Sequence, residues 1–260
     1  MKIYVLTDME GASGIHQEQQ TQPGSGYYPE GLQLLMGDVN AAVDGAFAGG
    51  ATEVVVNDGH GGGNNFRLEQ MDPRARYESP AVPNVMPSLD ESCAGMILVA
   101  HHARAGTLGA FLDHTQSSLS WYQYLINDTE CGEIGQATAY AGHYGVPLIM
   151  VSGDESACTE AQELCPGVVV AAVKRGLGRQ RARCLHPQVA RELIREQAKE
   201  AVAAAAGGSF QPWQPALPIT LTLTVYRTDM ADSIAAALGV ERVDARTVRK
   251  SVPDARRVYW

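Results

Sequence analysis

Met1-Lys2-Ile3-Tyr4-Val5-Leu6-Thr7-Asp8-Met9-Glu10-Gly11 is the stretch whose reading decides the fold. A short apolar, β-branched run ends abruptly in two carboxylates, which predicts a strand over Ile3 to Thr7 with acidic groups at its carboxyl end. Further strands are expected at Glu53 to Asn57, Met96 to Ala100 and Leu148 to Ser152, and later at Val168 to Val173 and Ile219 to Tyr226. Longer amphipathic segments separate them. Such alternation predicts βαβ units, hence an α/β fold with a largely parallel sheet flanked by helices.

In the first helical segment Leu32, Leu35, Met36, Val39, Val43, Ala46 and Phe47 share one face, and Gly49-Gly50 supplies the stop. A second helix is expected from Pro187 to Ala206, with Val189, Leu193, Ile194, Ala201 and Val202 inward and Gly207-Gly208 ending it. Three prolines between Gln211 and Pro218 read as a linker. The expected organisation is therefore a larger α/β domain over 1–210 and a smaller C-terminal α/β segment over 211–260, packed on it or involved in assembly.

The 260 residues carry 45% hydrophobic side chains and a formal charge of −9, with a pI near 5.2. An acidic average field repels nucleic acid and anionic membrane, so neither is expected as a partner. The apolar start is interrupted too early by Asp8 and Glu10 for a signal peptide, and no apolar run approaches the ~20 residues of a membrane helix. A soluble, cytoplasmic protein is expected. The five cysteines (Cys93, Cys131, Cys158, Cys165, Cys184) are odd in number and lack C-x-x-C spacing, which suggests reduced, buried thiols.

Chemistry gathers at predicted strand ends. Asp8 and Glu10 follow the first strand, His60 the second, and His101-His102 the third. In open α/β sheets the ligand crevice lies outside the carboxyl ends of the strands, so these residues are expected to converge. In extended backbone positions i and i+2 face the same way, which would aim Asp8 and Glu10 at one centre. Carboxylates and imidazoles without thiolates suit zinc, manganese or cobalt, and an aspartate can bridge two ions. The run Val56-Asn57-Asp58-Gly59-His60-Gly61-Gly62-Gly63 has two other readings, a phosphate cradle and a lipase-type oxyanion loop. It lacks G-x-G-x-x-G and a P-loop lysine, and no G-x-S-x-G elbow exists in the chain. His114 sits near the same rim, where an imidazole can be a ligand, a proton shuttle or a charge stabiliser. Glu133 follows a turn, in the first turn of an expected helix.

Together, Thr7-Asp8-Met9-Glu10-Gly11, Val56 to His60, His102-Ala103-Arg104, His114 and Asn127-Asp128 through Gly132-Glu133 resemble the D-aminopeptidases of peptidase family M55 in order and spacing. The likeness spans about residues 1 to 175, Val151-Ser152-Gly153-Asp154 included. The resemblance implies that Asp8 bridges two divalent ions, most simply Zn2+. It implies Glu10 and His60 as the partners on one ion and His102 and Glu133 on the other, and His114 as the catalytic histidine. His101, displaced by one from the H-A-R pattern, is read as a neighbour. The family also implies a homodecamer and a short peptide substrate with a free N-terminus, such as D-Ala-D-Ala. Relatives usually end in a helix where this sequence reads Tyr259-Trp260, which leaves the packing of the last segment open. Two other readings keep the metals: an amidohydrolase acting on L-peptides or another small amide, and a metal-dependent binding protein.

Overall fold

The computed structural model describes residues 1–80 and 84–260. In chain order the elements are β1 (Lys2–Thr7), α1 (Tyr28–Ala48), β2 (Glu53–Asp58), β3 (Arg76–Glu78), β4 (Cys93–His101), β5 (Trp121–Ile126), β6 (Thr129–Glu130) and α2 (Glu133–His143). Then follow β7 (Leu148–Asp154), α3 (Glu155–Leu164), β8 (Val169–Gly178), β9 (Arg181–Cys184), α4 (Pro187–Ala206), β10 (Ile219–Val225), α5 (Thr228–Leu238), β11 (Glu241–Arg242) and β12 (Thr247–Val252).

A seven-stranded sheet of order β3-β2-β1-β4-β7-β8-β9 forms the centre. All its pairings are parallel except the β8–β9 hairpin. The alternation of β1 explains why it needs cover on both sides. Ile3 and Val5 enter a core shared with α1 and α4, whereas Tyr4 enters a second core with α2, α3 and the inner face of a smaller sheet. Strands buried on both faces read as continuous apolar runs, as in Leu148 to Val151. The chain builds outward from β1 to β2 and β3, then crosses to place β4 on the other side of β1. That reversal makes the β1/β4 junction the switch point of the sheet.

The smaller sheet, β11-β12-β10-β5-β6, is antiparallel. In β10, Ile219, Leu221, Leu223 and Val225 are buried while the intervening threonines are half-buried, the period of a one-sided strand. Residues 211–218 form neither helix nor strand, in keeping with a linker, yet β10 beyond them pairs with β5 far upstream. Residues 211–260 thus complete a sheet that residues 121–130 begin. The closing residues pack inward: Trp260 meets Trp121, Tyr259 meets Tyr140, and Lys250 lies over the Trp260 ring. Among the described residues no helix is long and apolar enough to cross a membrane.

The buried face of α1 is the expected one, but that of α4 is rotated. Val189 is exposed, and Ala190, Ile194, Ala198, Ala201 and Val202 are the buried set. Val189 lies off the stripe that Ala190, Ile194, Ala198 and Ala201 make at intervals of three and four residues. A Cβ on Gly45 of α1 would stand 2.2 Å from the Arg195 carbonyl oxygen of α4, so the two helices meet nearly backbone to backbone at that point. Gly45→Ala is therefore expected to lower stability by about 1–3 kcal/mol, the range for overpacking. Chemical denaturation measures it, and unchanged stability would show that the helices separate freely.

Candidate metal centre

Asp8 and Glu10 leave β1 at the switch point, His60 follows β2, and His101 ends β4. Asp8 and Glu10 converge as expected, but through a turn rather than through strand alternation. β1 ends at Thr7, and the amides of Asp8 and Gly11 donate to the carbonyls of Val99 and Ala100 across the junction.

The end of β4 is irregular. Its register against β7 shifts between Leu98 and His101, and Ala100 has φ 64°, unusual for a residue with a side chain. This bulge re-aims the two histidines that follow. The backbone bends so close to its neighbours that a Cβ on Gly11 would lie 2.1 Å, and one on Gly153 2.0 Å, from the His101 carbonyl oxygen. His101 turns inward, with Nδ1 3.2 Å from the Val99 carbonyl, and burial holds its pKa below the ordinary value. His102 is the one that faces the acidic groups.

All six predicted residues come together. The Asp8 carboxylate has Oδ1 3.1 Å from His60 Nδ1 and Oδ2 3.1 Å from His102 Nε2. Glu10 Oε2 lies 3.1 Å from His60 Nδ1. Glu133 Oε1 is 3.7 Å from both His102 Nε2 and His114 Nε2. The rings of His102 and His114 stack, with centroids 3.9 Å apart and planes within 11°. Two donor groups result, Asp8-Glu10-His60 and His102-His114-Glu133, each with its atoms within 4.8 Å of one another.

Three imidazoles share one arrangement, in which one ring nitrogen meets a backbone carbonyl and the other faces the site. His60 Nε2 lies 3.0 Å from Thr21 O, His102 Nδ1 2.9 Å from Ala103 O and His114 Nδ1 2.8 Å from Leu112 O. A ring nitrogen placed so donates its proton to the carbonyl, which fixes the tautomer and leaves the other nitrogen's lone pair for a ligand. Despite their short approaches, Asp8 Oδ2, Glu10 Oε2 and His102 Nε2 are buried without an aligned hydrogen-bond partner. Unpartnered buried polar atoms of this kind ordinarily cost 1–3 kcal/mol each, roughly, so a cluster of them marks a place built for something else.

The electrostatics agree. Burial would raise Asp8, but His102 and His60 outweigh it and hold its carboxyl well below the usual range. Burial would likewise lower both histidines. The carboxylates of Glu10 and Asp8 instead push His60 up to about 12, and those of Asp8 and Glu133 push His102 up to about 10. The carboxylates thus recruit protons wherever no other cation is present.

Several supporting residues escaped the sequence reading. Asp58 accepts from the Asn65 amide at 2.6 Å and its Nδ2 at 2.7 Å, and Asn65 also holds the His60 carbonyl. Asp154 caps α3 and accepts from Phe111 N at 2.8 Å, which anchors the loop carrying His114. Glu160 accepts from Arg104 N at 2.8 Å and Gly132 N at 3.1 Å, tying the loop after His102 to the start of α2. Buried Lys174 donates to the carbonyls of Glu10 at 2.6 Å and Ile15 at 2.7 Å, and burial lowers its pKa to about 8. Asp58 and Asp154 end strands, so the positional rule that singled out Asp8 applies equally to them. Lys174 carries no comparable signal.

Over 198 residues the chain is 37% identical to the D-aminopeptidase of Bacillus subtilis (strain 168), covering 75% of this chain and 72% of that one. Its fold superposes on the Zn-dependent D-aminopeptidase DppA from Bacillus subtilis, described as a self-compartmentalizing protease. That match has a TM-score of 0.93 and 32% identity over 99% of this chain and 94% of the other. The D-aminopeptidase model of peptidase family M55 matches residues 1–260, and the chain therefore belongs to this family, as a hydrolase acting on peptide bonds.

Proposed function

We propose that the protein is a zinc-dependent aminopeptidase with two ions per subunit. It removes the N-terminal residue, of D configuration, from short peptides such as D-Ala-D-Ala. The observation that carries the dinuclear reading is Asp8, whose two oxygens face different histidines 3.1 Å away on either side. In this reading Asp8 would be shared between two ions, with Glu10 and His60 available to one and His102 and Glu133 to the other. Zinc is favoured because the solved relative is Zn-dependent and the donors are imidazoles and carboxylates, a set that also accepts manganese or cobalt. When bound, such ions supply Lewis acidity toward the scissile carbonyl and make water a nucleophile at neutral pH.

His114 plays a different part. A metal ion sits in the plane of the imidazole that binds it, and two rings stacked 3.9 Å apart within 11° of parallel have lone-pair axes that do not meet. One ion cannot satisfy both His102 and His114. His102 is the more buried, with Nε2 beside Asp8. His114 is left to steady charge on the tetrahedral intermediate and to deliver a proton to the leaving amine.

Family likeness supports the D preference, and the self-compartmentalizing relative supports self-assembly, which this reading takes to be a homodecamer. Residues 1–210 carry the chemistry in this reading, residues 211–260 complete the second sheet, and a cytoplasmic location remains part of it.

Four outcomes are expected. Elemental analysis of zinc-saturated protein should give two ions per subunit, falling in His60→Ala and His102→Ala. Ligation needs neutral imidazoles, whereas His60 and His102 stay protonated below about 12 and about 10 without a metal. Loading at pH 8 should thus release about two protons per subunit, read by calorimetry in buffers of different ionisation enthalpy, and affinity should weaken as pH falls. Loading without proton release would contradict the ligand set. His114→Ala should lower kcat about 100-fold or more at unchanged metal content; near-native turnover would remove His114 from the chemistry. Free dipeptides should be cleaved and N-acetylated ones spared, with the D-enantiomer preferred. Equal kcat/KM for both enantiomers would leave an aminopeptidase without stereochemical preference, and equal cleavage of acetylated peptides would exclude an aminopeptidase.

A further inference from the structure

Two cavities reach the site from different sides, and they differ in character. One, of about 190 Å³, is lined by Glu10, His60 and His114 together with Arg179, Ser118 and Glu18. The other, of about 220 Å³, is lined by Asp8 and Glu133 together with Val85, Met86 and Tyr259. Among the described residues no lysine or arginine lines the second, and Arg179 alone of these types lines the first.

Arg179 belongs to the short turn between β8 and β9, and it is fastened to the loop that carries His114. Its backbone carbonyl accepts from Leu112 N at 2.9 Å, and its Nη1 donates to the backbone oxygen of Asp113 and, at 3.0 Å, to Asp113 Oδ1. Nε and Nη2 make no hydrogen bond among the described residues, so part of the planar donor fork is available. Glu18 is held aside, its Oε2 accepting from Gln180 Nε2 at 2.9 Å.

From this arrangement we propose that Arg179 receives the free α-carboxylate of a short peptide, while the side chain of the N-terminal residue enters the cavity walled by Val85, Met86 and Tyr259. The proposal rests on the aminopeptidase reading above and names the substrate class of that same site. Its direction follows from His114, which lines the Arg179 cavity: the leaving amine departs on the side of its proton donor, and in a dipeptide the carboxylate belongs to that leaving residue. A guanidinium matches a carboxylate through paired hydrogen bonds. The enzyme is thereby fitted to peptides whose chain ends just beyond the scissile bond.

The test compares zinc-loaded wild type with Arg179→Met on a dipeptide and on the same dipeptide with its C-terminus amidated, with metal content measured in both proteins. Wild type should prefer the free acid. The variant should lose about 10- to 100-fold in kcat/KM on the acid, mainly through KM, and less than about 3-fold on the amide, at equal metal content. Equal losses on both substrates would show that Arg179 only supports the Asp113–His114 loop, and would overturn the proposal. A wild type that cleaves acid and amide alike would also overturn it while leaving the aminopeptidase reading intact. A wild type that cleaves neither overturns both.

Discussion

The Asp8 carboxylate is buried between two imidazoles, one at each oxygen, with Glu10 and Glu133 close by. Asp8 and Glu10 are buried and Glu133 is half-buried, so the carboxylates repel one another and the arrangement calls for positive charge among them. The same carboxylates push the pKa values of His60 and His102 upward, which favours the charged imidazoles where no metal is bound. Divalent cations would meet it more fully, because each donor atom could then make a directed bond. Much of the surrounding architecture serves to hold these charges in register.

That support is mostly backbone. The β4 bulge at Ala100 sets the direction of His102, and the absence of side chains at Gly11 and Gly153 lets the neighbouring segments close around it. Asp154, Glu160 and Asp58 each accept two or more hydrogen bonds, at least one of them from a loop, so three buried carboxylates outside the donor set tie down the segments carrying His114, Glu133 and His60. Lys174 holds the turn after Glu10 through two carbonyls. Such second-layer contacts fix ligand orientation, and their loss weakens a site without removing any donor.

The strand-helix alternation and the placement of reactive residues after strands were legible because both depend on local pattern. Periodicity two in β10, the continuous apolar run of β1 and the apolar stripe of α1 report which faces are buried, and a switch point in an open sheet gathers whatever follows β1, β2 and β4. Other elements had weak local signals. β5 was missed although Tyr124 and Ile126 point inward, because a short aromatic run acquires strand character only when β10 pairs with it. The inward face of α4 differs from the expected one at Val189, which is exposed one position before the buried stripe that begins at Ala190, because hydrophobicity alone does not locate the edge of a helix face.

Local pattern in the sequence was enough for the α/β class, the membership suggested by its spaced motifs, and a set of six acidic and imidazole residues, five in loops and Glu133 at the start of α2. The tertiary structure alone sets which oxygen of Asp8 meets which histidine, that His114 lies parallel to His102, and that Arg179 and Tyr259 line separate cavities at the site. The physical reason is range. Periodicity and turn chemistry act within a few residues, whereas the orientation of a buried side chain is set by whichever distant backbone supplies its hydrogen bonds and whichever ring fills the space beside it.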